Sequence, residues 1–116
     1  MIASKKSWKN EPMAKEREML SFDKIYTNLD AEKMMKGFIP EDMDDKWFIY
    51  FENRWLYFHR SWTGHCIFKL KLDCSPTGAR VMETWVTRNQ LHYKSSGSED
   101  ELSMLSALID NLLLRN

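Results

Sequence analysis

An α+β domain is the fold class that the sequence predicts, with a four-stranded antiparallel meander packed against a C-terminal amphipathic helix and short N-terminal helices ahead of the sheet. Three observations predict it. Residues 46–88 are rich in aromatic and β-branched side chains, broken at intervals by turn formers. From residue 102 onward Leu102, Leu105, Leu108, Ile109, Leu112 and Leu113 recur at helical spacing. A chain of 116 residues with 43% hydrophobic side chains has material for one core and little for a second.

Taken in order, residues 1–11 mix Lys5, Lys6, Lys9 and Asn10 with a lone Trp8, which reads as a flexible arm unless Trp8 finds a pocket. Residues 12–116 form the single α+β domain. Pro12 suits a first helical turn, and Met13, Met19 and Leu20 give the segment one apolar side. A second short helix fits Asp30 to Lys36, with Asp30 as cap, Gly37 as terminator and Pro40 barring continuation. The strands are Lys46 to Glu52, Trp55 to Arg60, His65 to Asp73 and Arg80 to Arg88. Asn53-Arg54, Ser61 to Gly64 and Ser75 to Ala79 connect them as hairpins. Ser98 and Glu101 have capping-box spacing at the start of the last helix.

Alternation divides the sheet into two faces. Leu56, Phe58, Cys66, Phe68, Leu70 and Leu72 form the face that the leucine helix covers. Opposite them stand Trp55, Tyr57, His59, Ile67, Lys69 and Lys71, joined by Glu83 and Trp85 from the fourth strand. Seventeen Lys+Arg balance seventeen Asp+Glu, which supplies no long-range field for a nucleic-acid polymer or a membrane surface. The balance is nevertheless uneven, because Lys46, Arg54, Arg60, Lys69 and Lys71 face only Glu52 in the central segment. Flat rings beside cations suit a planar base with phosphates.

The string Leu56-Tyr57-Phe58-His59-Arg60-Ser61-Trp62-Thr63-Gly64 concentrates this chemistry, since Arg60, Ser61, Trp62 and Thr63 bring a guanidinium, two hydroxyls and an indole into one loop. Arg60 points inward on strand alternation and therefore calls for an anion. His59 and His65 flank the loop, yet no carboxylate lies at a motif spacing to make either a general base. No phosphate-loop, dinucleotide or nucleophile-elbow motif occurs, and the sequence offers neither a metal-ligand motif nor a cofactor signature. Cys66 and Cys74 imply no disulfide framework. With no signal-peptide pattern and no long apolar run, a cytoplasmic protein without membrane contact is expected.

From Lys46-Trp47-Phe48-Ile49-Tyr50 through the Leu56 to Gly64 string, the chain resembles a small bacterial domain associated with ADP-ribosylglycohydrolase-like proteins. The likeness runs from about Trp47 to the leucine helix and leaves the N-terminal segment uncovered. Where the family pattern has an Asn-Arg-Asp-Pro-like segment, this chain has Thr87-Arg88-Asn89-Gln90, so no role carries over to Arg88 or Asn89. The resemblance implies a non-catalytic module that grips an ADP-ribose-type nucleotide, sequestering it or assisting in NAD-derived signalling, in the manner of phage or bacterial defence. The expected ligand-binding residues are His59, Arg60, Ser61, Trp62, Thr63, His65, Trp55, Tyr57 and Trp85, with no catalytic residue, metal or cofactor among the expectations. The alternative is a protein-interaction or immunity-like module whose aromatic sheet face docks a partner or makes a homodimer.

Overall fold

The computed structural model describes residues 2–115. It is an α+β protein with one six-stranded antiparallel sheet and two helices. In chain order these are β1 (Arg17–Leu20), β2 (Ile25–Tyr26), α1 (Asn28–Lys36), β3 (Trp47–Glu52), β4 (Trp55–Arg60), β5 (Cys66–Ser75), β6 (Gly78–Thr87) and α2 (Ser98–Leu108), the last widening into a π-helical turn over Ile109–Leu113. The spatial order is β1-β6-β5-β4-β3, and β2 pairs with the other end of β6.

The expected helix from Pro12 to Leu20 does not form. β6 is ten residues long, and without a neighbour its outer edge would leave a row of backbone groups unpaired. β1 fills half of that edge, with Met19 opposite Trp85, and β2 fills the other half, with Tyr26 opposite Ala79. Tertiary pairing therefore overrides the weak helical spacing of Met13, Met19 and Leu20, and the sheet has six strands where the sequence suggested four. α1 begins earlier than expected and takes Thr27 rather than Asp30 as its cap, Thr27 Oγ1 accepting from the Asp30 N–H at 3.1 Å. Gly37 ends it with φ of 68°, and a Cβ there would lie 2.2 Å from the Ile49 carbonyl oxygen, so both the turn and the close approach require glycine.

Asn53 and Arg54 both have positive φ, the signature of a two-residue type I′ hairpin that matches strand twist. Two register shifts rearrange the faces. Between Phe58 and His59 the β4–β5 ladder slips, so Cys66 pairs with His59 while Ile67 joins the main core. This exchanges the faces expected for those two residues. A second shift at Lys71/Leu72 leaves Met82 outside the pairing and exposed.

The main core lies between one face of the sheet and both helices. Leu56, Phe58, Phe68, Leu70 and Leu72 meet Ala31 and Met34 of α1 and Leu105, Ile109 and Leu113 of the C-terminal helix, all buried. The leucine stripe thus does what its spacing demands. The expected capping box is absent: Gly97 is the cap residue, Ser98 opens the helix, and no side chain bonds the first turn. Glu101 instead turns inward. It is 0% exposed and accepts both arms of the Arg88 guanidinium, Nη1 to Oε2 at 2.7 Å and Nη2 to Oε1 at 2.9 Å, with the Ser95 hydroxyl donating to Oε2. Arg88 Nε donates in turn to Glu18 of β1 at 2.8 Å. Burial raises the Glu101 carboxyl, but the hydrogen bonds led by Arg88 outweigh it and hold the group below its ordinary value.

Glu101→Ala should destabilise the protein by about 2–4 kcal/mol in urea unfolding, somewhat below the loss for a fully enclosed pair because Arg88 keeps some water contact. Glu18→Ala, at the exposed end of the same guanidinium, should cost about 1 kcal/mol or less.

Candidate functional site

The sheet face opposite the helices is divided in two. The N-terminal arm lies over one half: the Ala3 N–H donates to Lys36 O, Trp8 Nε1 to Ser61 O at 2.8 Å, and the Glu11 N–H to Gly64 O. Trp8 thereby finds the partner its placement required. Beneath the arm Ala3, Phe48 and Tyr50 form a second small core, with Trp8, Ile39 and Tyr57 packed against it. The other half carries half-buried Trp55, Lys69, Lys71, Glu83 and Trp85 beside exposed Met19. Antiparallel register sets Tyr50, Tyr57, Lys69 and Trp85 in one row across the strands, and Glu52, Trp55, Lys71 and Glu83 in the next.

Where the arm ends, a cleft of about 360 Å³ opens, lined by Lys5, Asn10, Glu11, Pro12, Tyr50, Glu52, Tyr57 and His59. Three rings of the cleft associate. Tyr50 stacks on Tyr57 with centroids 5.0 Å apart and on His59 at 5.6 Å, the latter pair nearly parallel at 6°. Burial pushes the Tyr50 hydroxyl up to about 12 and raises Tyr57 as well, so both stay protonated near neutrality. His59 is 1% exposed; its Nδ1 lies 3.0 Å from Gly64 O, and its Nε2 has no partner. A carbonyl only accepts, so Nδ1 carries the proton and Nε2 is left as a buried acceptor. Burial lowers the imidazole to about 4, against the opposing pull of the Gly64 bond and the Glu11 charge.

Beside the cleft, the Lys69 ammonium stands 4.7 Å from the Trp55 ring centroid and that of Lys71 stands 6.0 Å from it. Among the described residues neither ammonium has a carboxylate within ion-pair distance. Burial first, and nearby Arg17 second, lower Lys69 from its ordinary value, against the opposing pull of Cys66 and of the Glu83 carboxylate.

The expected binding residues separate into three groups. Trp55, Tyr57, His59 and Trp85 share the face just described, with Trp85 Nε1 donating to Glu83 at 3.1 Å. Arg60 is on the other face, opposite Trp47 in register, and its guanidinium stacks 5.0 Å from the Trp47 ring centroid. The anion that its inward direction called for is replaced by an aromatic face: among the described residues Arg60 has no ion-pair partner. Ser61, Trp62, Thr63 and His65 lie in the hairpin loop, where the buried Ser61 hydroxyl donates to Asp45 O, Trp62 Nε1 donates to Met43 O, and Thr63 Oγ1 accepts from the His65 N–H. Trp62 remains 55% exposed and, with Trp8, Lys9, Asp42, Met43 and Ser61, borders a mainly apolar hollow of about 390 Å³. The Ser61 and Trp62 bonds tie the loop to the segment before β3. Tyr50, Glu52 and Glu11, which complete the cleft, were not indicated by sequence; Tyr50 could have been found by continuing the alternation of β3 across to Tyr57.

The chain matches no family model, no curated protein and no solved structure. No helix among the described residues is long and apolar enough to cross a membrane.

Because His59 is depressed in the folded state to about 4, the unfolded chain binds the extra proton first. Its contribution to stability is complete above about pH 6.5 and is lost as pH falls from there to about 4, by roughly 3 kcal/mol at most. Urea unfolding from pH 7.5 to 4 should show this decline, and His59→Asn, which keeps a donor for Gly64 O, should flatten it whatever its absolute stability.

Proposed function

We propose that this protein is a non-catalytic binding module for an anionic nucleotide-like ligand, with ADP-ribose-type nucleotides as the class that the sequence resemblance brings forward. The observation that carries the reading is the buried, unpartnered His59 Nε2 in an aromatic cleft adjoining two ammoniums without carboxylate partners. A neutral imidazole acceptor takes a hydrogen bond from an N–H or O–H, such as an exocyclic amine, and because this nitrogen is buried the neighbouring arm shifts to admit it. Tyr57 offers the ring on which a base stacks, a contact worth about 1–3 kcal/mol. Lys69 lies opposite Tyr57 on the neighbouring strand, and Lys71 lies opposite Trp55, so phosphates joined to a base over Tyr57 come within reach of both. Trp85, on the far side of Lys69, closes the row.

This reading moves the centre of the site from the hairpin loop to the sheet face. Ser61 and Trp62 donate to the carbonyls of Asp45 and Met43, Thr63 accepts within the turn, and Arg60 is on the opposite side of the sheet. What remains of the sequence expectation is the cluster His59, Tyr57, Trp55 and Trp85. No residue pair in the cleft has the arrangement of a nucleophile with an oriented base, so the reading involves binding without reaction.

Thermal melts with ADP-ribose, NAD, cyclic dinucleotides and uncharged adenosine test it. Phosphorylated ligands should raise the melting temperature progressively, approaching about 2.7 kcal/mol of stabilisation at a hundredfold excess over Kd, while adenosine gives less. Lys69→Met with Lys71→Met should weaken binding about tenfold or more at low salt. No shift at millimolar ligand, or a shift unchanged in the double variant, refutes the reading. A dimer in light scattering that is dispersed by Trp55→Ala, with no nucleotide response, establishes the protein-interaction alternative in its place.

A further inference from the structure

At the far end of the arm, three side chains from distant parts of the sequence converge. Glu11 Oε2 lies 2.6 Å from His65 Nδ1. The His65 and His92 rings stack with centroids 3.7 Å apart and planes inclined by 7°. One ligating atom from each of the three residues lies within 4.8 Å of the others, and His92 Nδ1 is buried with no hydrogen-bond partner. Such an orphaned imidazole nitrogen is costly unless something fills it.

From this convergence we infer that Glu11, His65 and His92 form a divalent transition-metal site of the zinc type. Two imidazoles and one carboxylate are the donor set that zinc takes when three protein ligands leave a fourth position for water. Calcium and magnesium, which take oxygen ligands, do not match it. Around a tetrahedral ion with bonds of about 2.0–2.1 Å, neighbouring ligand atoms stand about 3.4 Å apart, so the 2.6 Å Glu11–His65 contact opens and the pairs lying within 4.8 Å draw together. Exposed Glu11 has the rotamer freedom to follow, and one of the two stacked imidazoles must tilt as well, because nearly parallel rings do not aim both nitrogens at one ion.

The backbone around all three ligands is already fixed. The Glu11 N–H donates to Gly64 O at 2.8 Å, the His65 N–H to Thr63 Oγ1, the Arg60 N–H to His65 O, and the His92 N–H to Asn89 O at 3.1 Å. In its contact with the Glu11 carboxylate oxygen, an acceptor, His65 Nδ1 is the donor. Metal binding at that nitrogen sends the proton to Nε2 when the ring is neutral, or to solvent when the ring is cationic, and the freed carboxylate turns to the metal. The ion then clasps the N-terminal arm, the β4–β5 hairpin and the β6–α2 connection together. The inference stands on a different observation from the nucleotide reading: Glu11 borders that cleft, but His65 and His92 do not line it.

Isothermal titration and equilibrium dialysis of the full chain with Zn²⁺ should give one ion per chain, and Co²⁺ should give visible absorption bands of a low-symmetry site. His92→Ala and, separately, Glu11→Gln should weaken Zn²⁺ binding about tenfold or more, while Cys74→Ser, which removes the exposed thiol, leaves it unchanged. Zn²⁺ should also raise the melting temperature and slow tryptic cleavage after Lys9 in the wild-type chain but not in His92→Ala. Absence of stoichiometric binding at 100-fold excess metal over protein, or binding equal in wild type and both ligand variants, overturns the inference. Because no nucleotide is present, this result neither supports nor refutes the function proposed above.

Discussion

The bidentate contact between Arg88 and Glu101 fixes how the two halves of the protein meet. A carboxylate with no exposure can stay charged only if its oxygens are met by well-aimed donors, and here the fork of a single guanidinium meets both. One partner directly follows β6, the other sits in the first turn of α2, and the third arm of the guanidinium reaches Glu18 on β1. The apolar stripe of α2 would pack against the sheet in many rotations and offsets; the ion pair selects one of them. That selection also sets the path of residues 89–97 and brings His92 alongside His65.

A sheet with helices on one face has a second face to account for, and this chain treats its two halves differently. At the β4–β5 hairpin end, the arm covers Phe48, Tyr50 and His59 and ties itself down through Trp8 and Glu11. At the other end the rings remain half open and are bordered by lysines. The cleft falls at the boundary. There a histidine buried by the arm keeps one nitrogen without a partner, and aromatic rings continue from covered to open surface. A boundary of this kind supplies both a dry, oriented acceptor and an accessible platform, which neither a sealed layer nor a fully solvated one provides.

Three of the cations in this region find aromatic faces in place of carboxylates: Arg60 over Trp47, Lys46 over Trp62, and Lys69 over Trp55. A ring quadrupole returns about 0.5–1 kcal/mol at exposed sites, enough to orient a cation but not to neutralise it. These cations are therefore oriented by rings, and on the open sheet face Lys69 and Lys71 stand in rows that also hold Glu52 and Glu83. Arg60 and Lys69 illustrate how different the results are. Arg60 is spent on the core side of the sheet, whereas Lys69 is held in the row that contains Tyr57 and Trp85.

The sequence by itself determined the α+β class, the C-terminal leucine helix and the tight turn at Asn53-Arg54, because each depends on short-range periodicity or on the backbone freedom of neighbouring residues. It also marked Trp55, Tyr57, His59 and Trp85 as sharing a face, since period-two alternation survives wherever the ladder is regular. Only the tertiary structure decided the rest. The open edge of β6 recruited residues 17–20 from a helical pattern, and a slip at Phe58/His59 exchanged Cys66 with Ile67. Glu101 left its capping position to meet a charge thirteen residues away, while Glu11, His65 and His92 converged from three segments with no common motif. These outcomes depend on pairing and burial between residues distant in the chain, and local pattern carries no record of which distant group will arrive.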